Sequence, residues 1–249
     1  MERKRISIYF IKLVWLLGVA GAGAQGTPVD LTARDTVTYA ERYGLRVGGD
    51  LSRLVRSAFD ADYQGFELVG DYRISQKFYL AGELGSEQKT TEEDHYSFTS
   101  SGNYIRVGVD YNAYENWYGM ENLIYAGLRY GFGTFSQTLH GYTIYNSNPY
   151  WGEGDIPGTD PGLLQEYRGL TAHWVELALG LKAELFSNLY LGGSVRLSRL
   201  VTDKAADNFP NLWIPGFNKV TDGSAFGIGF NYSISYFIPI YKKKNKTIR

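Results

Sequence analysis

The chain has 249 residues, of which 16% are aromatic, 21 are tyrosine and 30 are glycine. Its mean hydropathy of −0.27 excludes a helical membrane protein, which needs apolar runs of about 18 residues or more. The absence of cysteine excludes disulfides, zinc–thiolate sites, a Cys nucleophile and lipidation on an N-terminal Cys. The net charge of −1 conceals an asymmetry: the first 24 residues carry +3 and residues 242–249 carry +5, so the body carries −9 and is no nucleic-acid binder.

Residues 1–24 have the order of a secretory signal: Arg3, Lys4 and Arg5, then an apolar core over 6–19 interrupted by Lys12, then Ala22-Gly23-Ala24 as a small-residue cleavage site. Residues 25–42 are polar and lack a period, and are expected to form a periplasmic lead-in. From 43 to 241 the chain alternates with a period of two, the signature of strands. The first runs Tyr43, Leu45, Val47, Gly49, Leu51, and the second Phe66, Leu68, Gly70, Tyr72, Ile74. After Ser75-Gln76-Lys77 comes a third through Phe78, Leu80, Gly82 and Leu84, and after a polar stretch over 86–100 a fourth through Ile105, Val107, Val109 and Tyr111.

The fifth carries Ile124, Ala126, Leu128, Tyr130 and Phe132. A long loop over 137–169 leads to the sixth, with Val175, Leu177, Leu179, Leu181 and Ala183. A Phe186-Ser187-Asn188 turn gives the seventh, with Leu189, Leu191, Gly193, Val195 and Leu197. The eighth alternates Phe226, Ile228, Phe230, Tyr232, Ile234 and Tyr236 with Gly227, Gly229, Asn231, Ser233 and Ser235, long enough to cross a bilayer at a tilt, which takes about 9–11 residues. Connections after strands two, four and six are short and the others long. Together these features predict an all-β, eight-stranded antiparallel up-and-down transmembrane barrel of the outer-membrane kind, with both termini periplasmic. Residues 242–249 form a basic periplasmic tail.

A lipocalin-like soluble barrel has the same period, so the polar face decides the orientation. That face is crowded with Gly, Ala and Ser, as the narrow lumen of an eight-stranded barrel requires, and its cations are mainly Arg, which suits forked pairing with carboxylates. Arg46, Arg73, Arg106, Arg129, Lys182 and Arg196 are therefore expected in the lumen with Asp50, Glu67, Asp71, Glu83, Asp110, Glu176 and Glu184, as a paired network. Packing of the lumen is the plain reading of that network; an ion path or a proton relay is the functional one.

An enzyme would need a base and a nucleophile within reach. The histidines are His95, His140 and His173. His173 is expected to face lipid near the rim, with Val175 rather than Ser as its same-face neighbour, and His95 to be a solvated loop residue beside Glu92, Glu93 and Asp94. Tyr142, Tyr145, Tyr150 and Trp151 in the long loop precede Gly152-Glu153-Gly154-Asp155, whose acidic spacing matches no EF-hand. The apolar segment Asn211-Leu212-Trp213-Ile214-Pro215-Gly216-Phe217 either folds over the barrel mouth or offers a partner surface; Trp213, Ile214 and Phe217 join the loop tyrosines as a candidate interaction surface. Neither cofactor nor metal is expected.

In Ile214-Pro215-Gly216-Phe217, in the strand over 226–239 and in Tyr125-Ala126-Gly127-Leu128-Arg129-Tyr130-Gly131, the chain resembles a family of outer-membrane barrels from Bacteroidota described as a domain of unknown function. That resemblance implies fold and location; its motifs carry no catalytic signature. The expected role is a non-enzymatic structural or interaction protein working through external loops, as an accessory subunit of an envelope assembly or secretion complex, with outer-membrane lipids and other envelope proteins as partners. A lipid A-modifying enzyme and a small pore are the alternatives.

Overall fold

The computed structural model describes residues 40–114, 121–144, 156–207, 209–220 and 225–244, all within one compact unit, Tyr39–Arg249. The signal segment, the lead-in before residue 40, Tyr145, Tyr150, Trp151, the Gly152-Glu153-Gly154-Asp155 run and residues 245–249 lie outside the described residues.

Eight long antiparallel strands close into a ring: β1 (Ala40–Asp50), β2 (Tyr63–Arg73), β3 (Phe78–Glu93), β4 (Tyr96–Asn112), β5 (Leu123–Ile144), β7 (Glu166–Phe186), β8 (Leu189–Lys204) and β11 (Phe226–Lys244). Each pairs with its neighbour in sequence, β4 pairs with β5, and β1 pairs with β11, so the sheet is an up-and-down barrel. Three two-residue strands decorate it: β6 (Ile156–Pro157) beside β5, and β9 (Trp213–Ile214) with β10 (Asn218–Lys219). At one end the connections are tight. The Ser75 side chain accepts from the Phe78 N–H, and Asn188 supplies the positive φ of the Ser187-Asn188 turn.

At the other end the strands reach much further than the sequence pattern predicts. The stretch over 86–100, expected as a polar connection, is the upper part of a β3–β4 hairpin that turns at Asp94-His95. The two ends of the expected long loop, 137–144 and 166–169, belong to β5 and β7, and Tyr142 is a strand residue opposite Tyr96. The cause is a reversal of polarity along strands whose inward-pointing positions stay the same. On β5, Leu128 and Tyr130 point outward and Arg129 inward; further up, Thr134 is outward while Phe135 and Leu139 are buried inside. On β4, β5 and β7 the apolar outer face therefore ends where the two faces exchange roles, well before the strand does. Across from β5, Arg168 and Gly169 of β7 bulge against Ser136, and Gly169 takes the positive φ of 70° that such a bulge asks for.

A helix absent from the sequence prediction, α1 (Leu51–Phe59), follows β1 directly. Asp50 caps it by accepting the Ser52 N–H at 2.7 Å. None of the described helices is long and apolar enough to cross a membrane.

Candidate functional site: the lumen and its plug

The barrel is inverted relative to a soluble one. Leu128, Val195 and Phe230 are 64%, 60% and 70% exposed on its outside, whereas Glu67, Arg106 and Asp110 are buried inside. Buried charges survive only when paired, and here they are. Arg106 on β4 donates to Glu67 at 2.7 Å and to Glu83 at 2.8 Å. Arg196 on β8 reaches across the ring to Glu83 with bonds of 2.7 and 3.1 Å. Lys182 on β7 spans the opposite diameter to Asp71 at 2.5 Å, while Arg46 grips the same carboxylate from the adjacent strand at 2.7 Å. Arg129 pairs with Asp110 at 2.7 Å. The Trp174 indole N–H donates to Glu176 at 2.6 Å, and Arg106 lies 3.7 Å from the other oxygen of that carboxylate.

Aromatic rings pack the network. The Arg46 guanidinium lies between the rings of Tyr79 and Tyr190, at 5.0 and 5.1 Å, and Arg106 lies over Tyr104 at 4.7 Å. Tyr104 also donates its hydroxyl proton to Glu67. The remaining cavity among these groups, bordered by Arg46, Glu83, Arg129 and Asn231, is about 20 Å³, room for about one water.

Two predicted members sit apart from this centre. Arg73 pairs with Glu41 at 3.0 Å and Glu184 with Arg42 at 3.3 Å, both at the short-turn end. The structure adds members that alternation could not reveal. Arg53, on α1, joins Glu67 at 2.7 Å and also pairs with Glu87, and Asp50 lies 3.3 Å away. Arg53 precedes the next recognisable strand by a dozen residues and Glu87 lies in the stretch read as a connection, so no face could be assigned to either.

Above the charges the lumen becomes apolar. The turn between β9 and β10, Pro215-Gly216-Phe217, enters the mouth; of the two alternatives for this segment the cover is the one seen, and Trp213, Ile214 and Phe217, expected in an interaction surface, are instead buried. Phe217 meets the Trp174 ring edge-on, and both pack with Tyr104, Phe135 and Leu170. Trp213 belongs to a second cluster with Tyr63, Phe98, Leu139 and Phe209. The hairpin leaves from the β8–β11 side and is fastened to the opposite wall. Its Gly216 N–H donates to Glu87 at 2.8 Å, the Ser100 hydroxyl donates to the Trp213 carbonyl at 2.8 Å, and the Leu212 N–H donates to Gln137 at 3.2 Å.

On the outside, His173 is bonded through Nδ1 to the Tyr130 hydroxyl at 2.7 Å and packs on Phe132. His140 Nε2 lies 2.8 Å from the Thr99 hydroxyl, which is 2.9 Å from that of Thr90. This pairing crosses two strand boundaries at positions the sequence pattern did not identify as strand. No group of three or more metal-ligating side chains capable of holding an ion occurs among the described residues.

An apolar-out barrel with a neutralised, filled lumen defines the class: a small β-barrel of the outer-membrane type. The chain belongs to the family described as a domain of unknown function, DUF6048, whose pattern matches residues 6–243. Among solved structures it is similar to Ail, the attachment invasion locus protein of Yersinia pestis, at 10% identity over 80% of this chain and 99% of that one, with a TM-score of 0.38. It is also similar to CarO2 of Acinetobacter baumannii, at 10% identity over 80% of this chain and 100% of that one, with a TM-score of 0.35. The search of curated proteins found no match.

Proposed function

We propose that the protein is an integral outer-membrane barrel that carries out no covalent chemistry and acts as a structural and interaction protein through its long-arm end. In the setting the resemblance implies, the envelope of a Bacteroidota bacterium, that end faces outward and both termini are periplasmic. Its role is that of an accessory subunit of an envelope assembly or secretion complex. The observation that carries this reading is the double seal: a neutralised charge layer with about 20 Å³ left open, beneath a hairpin riveted across the mouth. Among the described residues the lumen is filled, which leaves the rim, with the Glu92-Glu93-Asp94 tip of the β3–β4 hairpin, as the part able to meet other molecules.

The test is co-purification of tagged protein from native membranes in mild detergent, paired with planar-bilayer recording. A stoichiometric envelope partner and a silent bilayer are expected. Recovery of the barrel alone, or a stable conductance, overturns the reading.

One observation favours a second reading, a lipid A-modifying enzyme. The 2.8 Å contact between the Thr99 hydroxyl and His140 has the spacing of a nucleophile and its base. Mass spectrometry of lipid A from strains carrying T99A or H140A separates the two readings. An altered acyl pattern in both strains supports the enzyme, and an unchanged pattern removes it.

A further inference from the structure

The wall of this barrel is not made of strands throughout. The β1–β11 ladder ends at Asp50 opposite Ser233, and the β1–β2 ladder at Gly49 opposite Leu68. Both neighbours continue upward, β2 back to Tyr63 and β11 back to Phe226. Where β1 stops, α1 begins and packs against both of them.

The polar side of α1 is turned inward. The Ser57 hydroxyl accepts the Gly65 N–H at 2.8 Å and lies 3.3 Å from the Gly65 carbonyl, standing in for the missing strand along the β2 edge. Arg53 enters the lumen to Glu67 and Glu87, and Arg56 stacks on Tyr63 at 4.0 Å while pairing with Asp60. The remaining stripe, Leu51, Leu54, Val55, Ala58 and Phe59, follows helical spacing, and its outer members are bare: Val55 is 55% and Phe59 88% exposed. In a helix packed on a soluble domain that stripe would face the core. Here it faces away, and it carries no charge.

We propose that α1 is a lipid-seated strap, whose Leu54–Val55–Phe59 ridge is occupied by the acyl chains of the leaflet around the upper barrel. Two features commit the ridge to lipid. It is continuous with the outward apolar belt, since Phe66 on β2 and Phe230 and Tyr232 on β11 flank it and are exposed on the same side. Its height also fits: the lower end of the 11-residue β1 is charged, with Glu41 and Arg42 opposite Lys243 and Lys242, so what remains of β1 is shorter than the about 9–11 residues a tilted strand needs to cross a bilayer, and the helix starts inside the hydrocarbon. Lipid offers nothing to a bare strand edge, and a helix satisfies its own backbone, so a helix is the element that can stand here in place of a strand.

This inference rests on the membrane location proposed above, and the experiment separates the two. Because the chain has no cysteine, single nitroxide labels can be placed at will. V55C and F59C report on the ridge, L179C on the middle of the strand belt and T159C on the solvated rim, each reconstituted in phosphatidylethanolamine–phosphatidylglycerol vesicles. Collision with oxygen is compared with collision with a water-soluble nickel chelate. The ridge labels are expected to resemble L179C, with nickel relaxation several-fold weaker than at T159C. Ridge labels that match T159C while L179C is shielded overturn the strap and leave the membrane barrel intact. Nickel access at L179C overturns the membrane barrel, and the strap with it. L54C gives the same reading if either ridge variant folds poorly.

Discussion

The lower and upper halves of the same lumen are built from opposite materials. Below, Arg106, Glu83 and Arg196 meet across the barrel and the outer surface is aliphatic. Above, Phe135, Leu170, Ile214 and Phe217 form an ordinary apolar core, and the outer surface carries Thr134, Thr138 and His140. The strands run through both halves without changing which positions point inward. What changes is the solvent outside: hydrocarbon demands an apolar exterior and leaves a polar interior to be neutralised, while water reverses both demands. The sequence thus records the margin of the membrane as the level at which β4, β5 and β7 exchange their faces.

The largest expected effect lies in the lower half. R106M leaves Glu67 and Glu83 without their principal buried cation and should destabilise the barrel by roughly 3–5 kcal/mol, read from urea unfolding of the detergent-folded protein. Unchanged stability would mean that the charges are solvated and the two halves are not distinct.

In the upper half, F217A should weaken docking of the hairpin by about 3 kcal/mol. Faster amide exchange at Gly216 is expected, with the amides of β5 near Arg129 still protected. If both accelerate together, charge layer and plug are one cooperative unit.

The exteriors are compared by the same side chain at two heights. L179R should destabilise by about 2–4 kcal/mol in lipid, as a charge in mid-hydrocarbon does, and T138R by less than about 0.5 kcal/mol, as at a solvated surface. Equal effects would erase the boundary drawn between them. The smallest expected change is in S57A, which removes the hydroxyl that serves the Gly65 edge and should cost about 1 kcal/mol in the same unfolding assay.

How much of this was legible in the sequence follows from the same exchange of faces. The eight strands and the inward set Arg46, Glu67, Asp71, Arg106, Asp110, Arg129, Glu176 and Arg196 could be read because they lie where hydrocarbon imposes one rule. The upper arms could not, because Thr99 and Phe98 there obey the opposite rule and the pattern looks broken at the crossover. Arg53 was hidden for a different reason. It belongs to a short helix whose polar stripe points inward, so neither strand alternation nor the usual helical amphipathicity marks it as interior. The plug was half visible: an apolar Trp213-Ile214-Pro215-Gly216-Phe217 run in a connection signals cover, but its fastening to Glu87, Ser100 and Gln137 is a tertiary fact.

The truncated first strand has a consequence for assembly. β1 faces β11 along nearly its whole length but matches β2 over only Leu45–Gly49 in one and Leu68–Tyr72 in the other. Its firmer bond is therefore to the far end of the chain and the weaker one to its neighbour in sequence. A sheet running from β2 round to β11 can zip up from local hairpins, with the opening strand recruited last through the costliest loop closure. Under mechanical or thermal load the ring should first come apart between its first two strands, leaving the first strand clasped to the last.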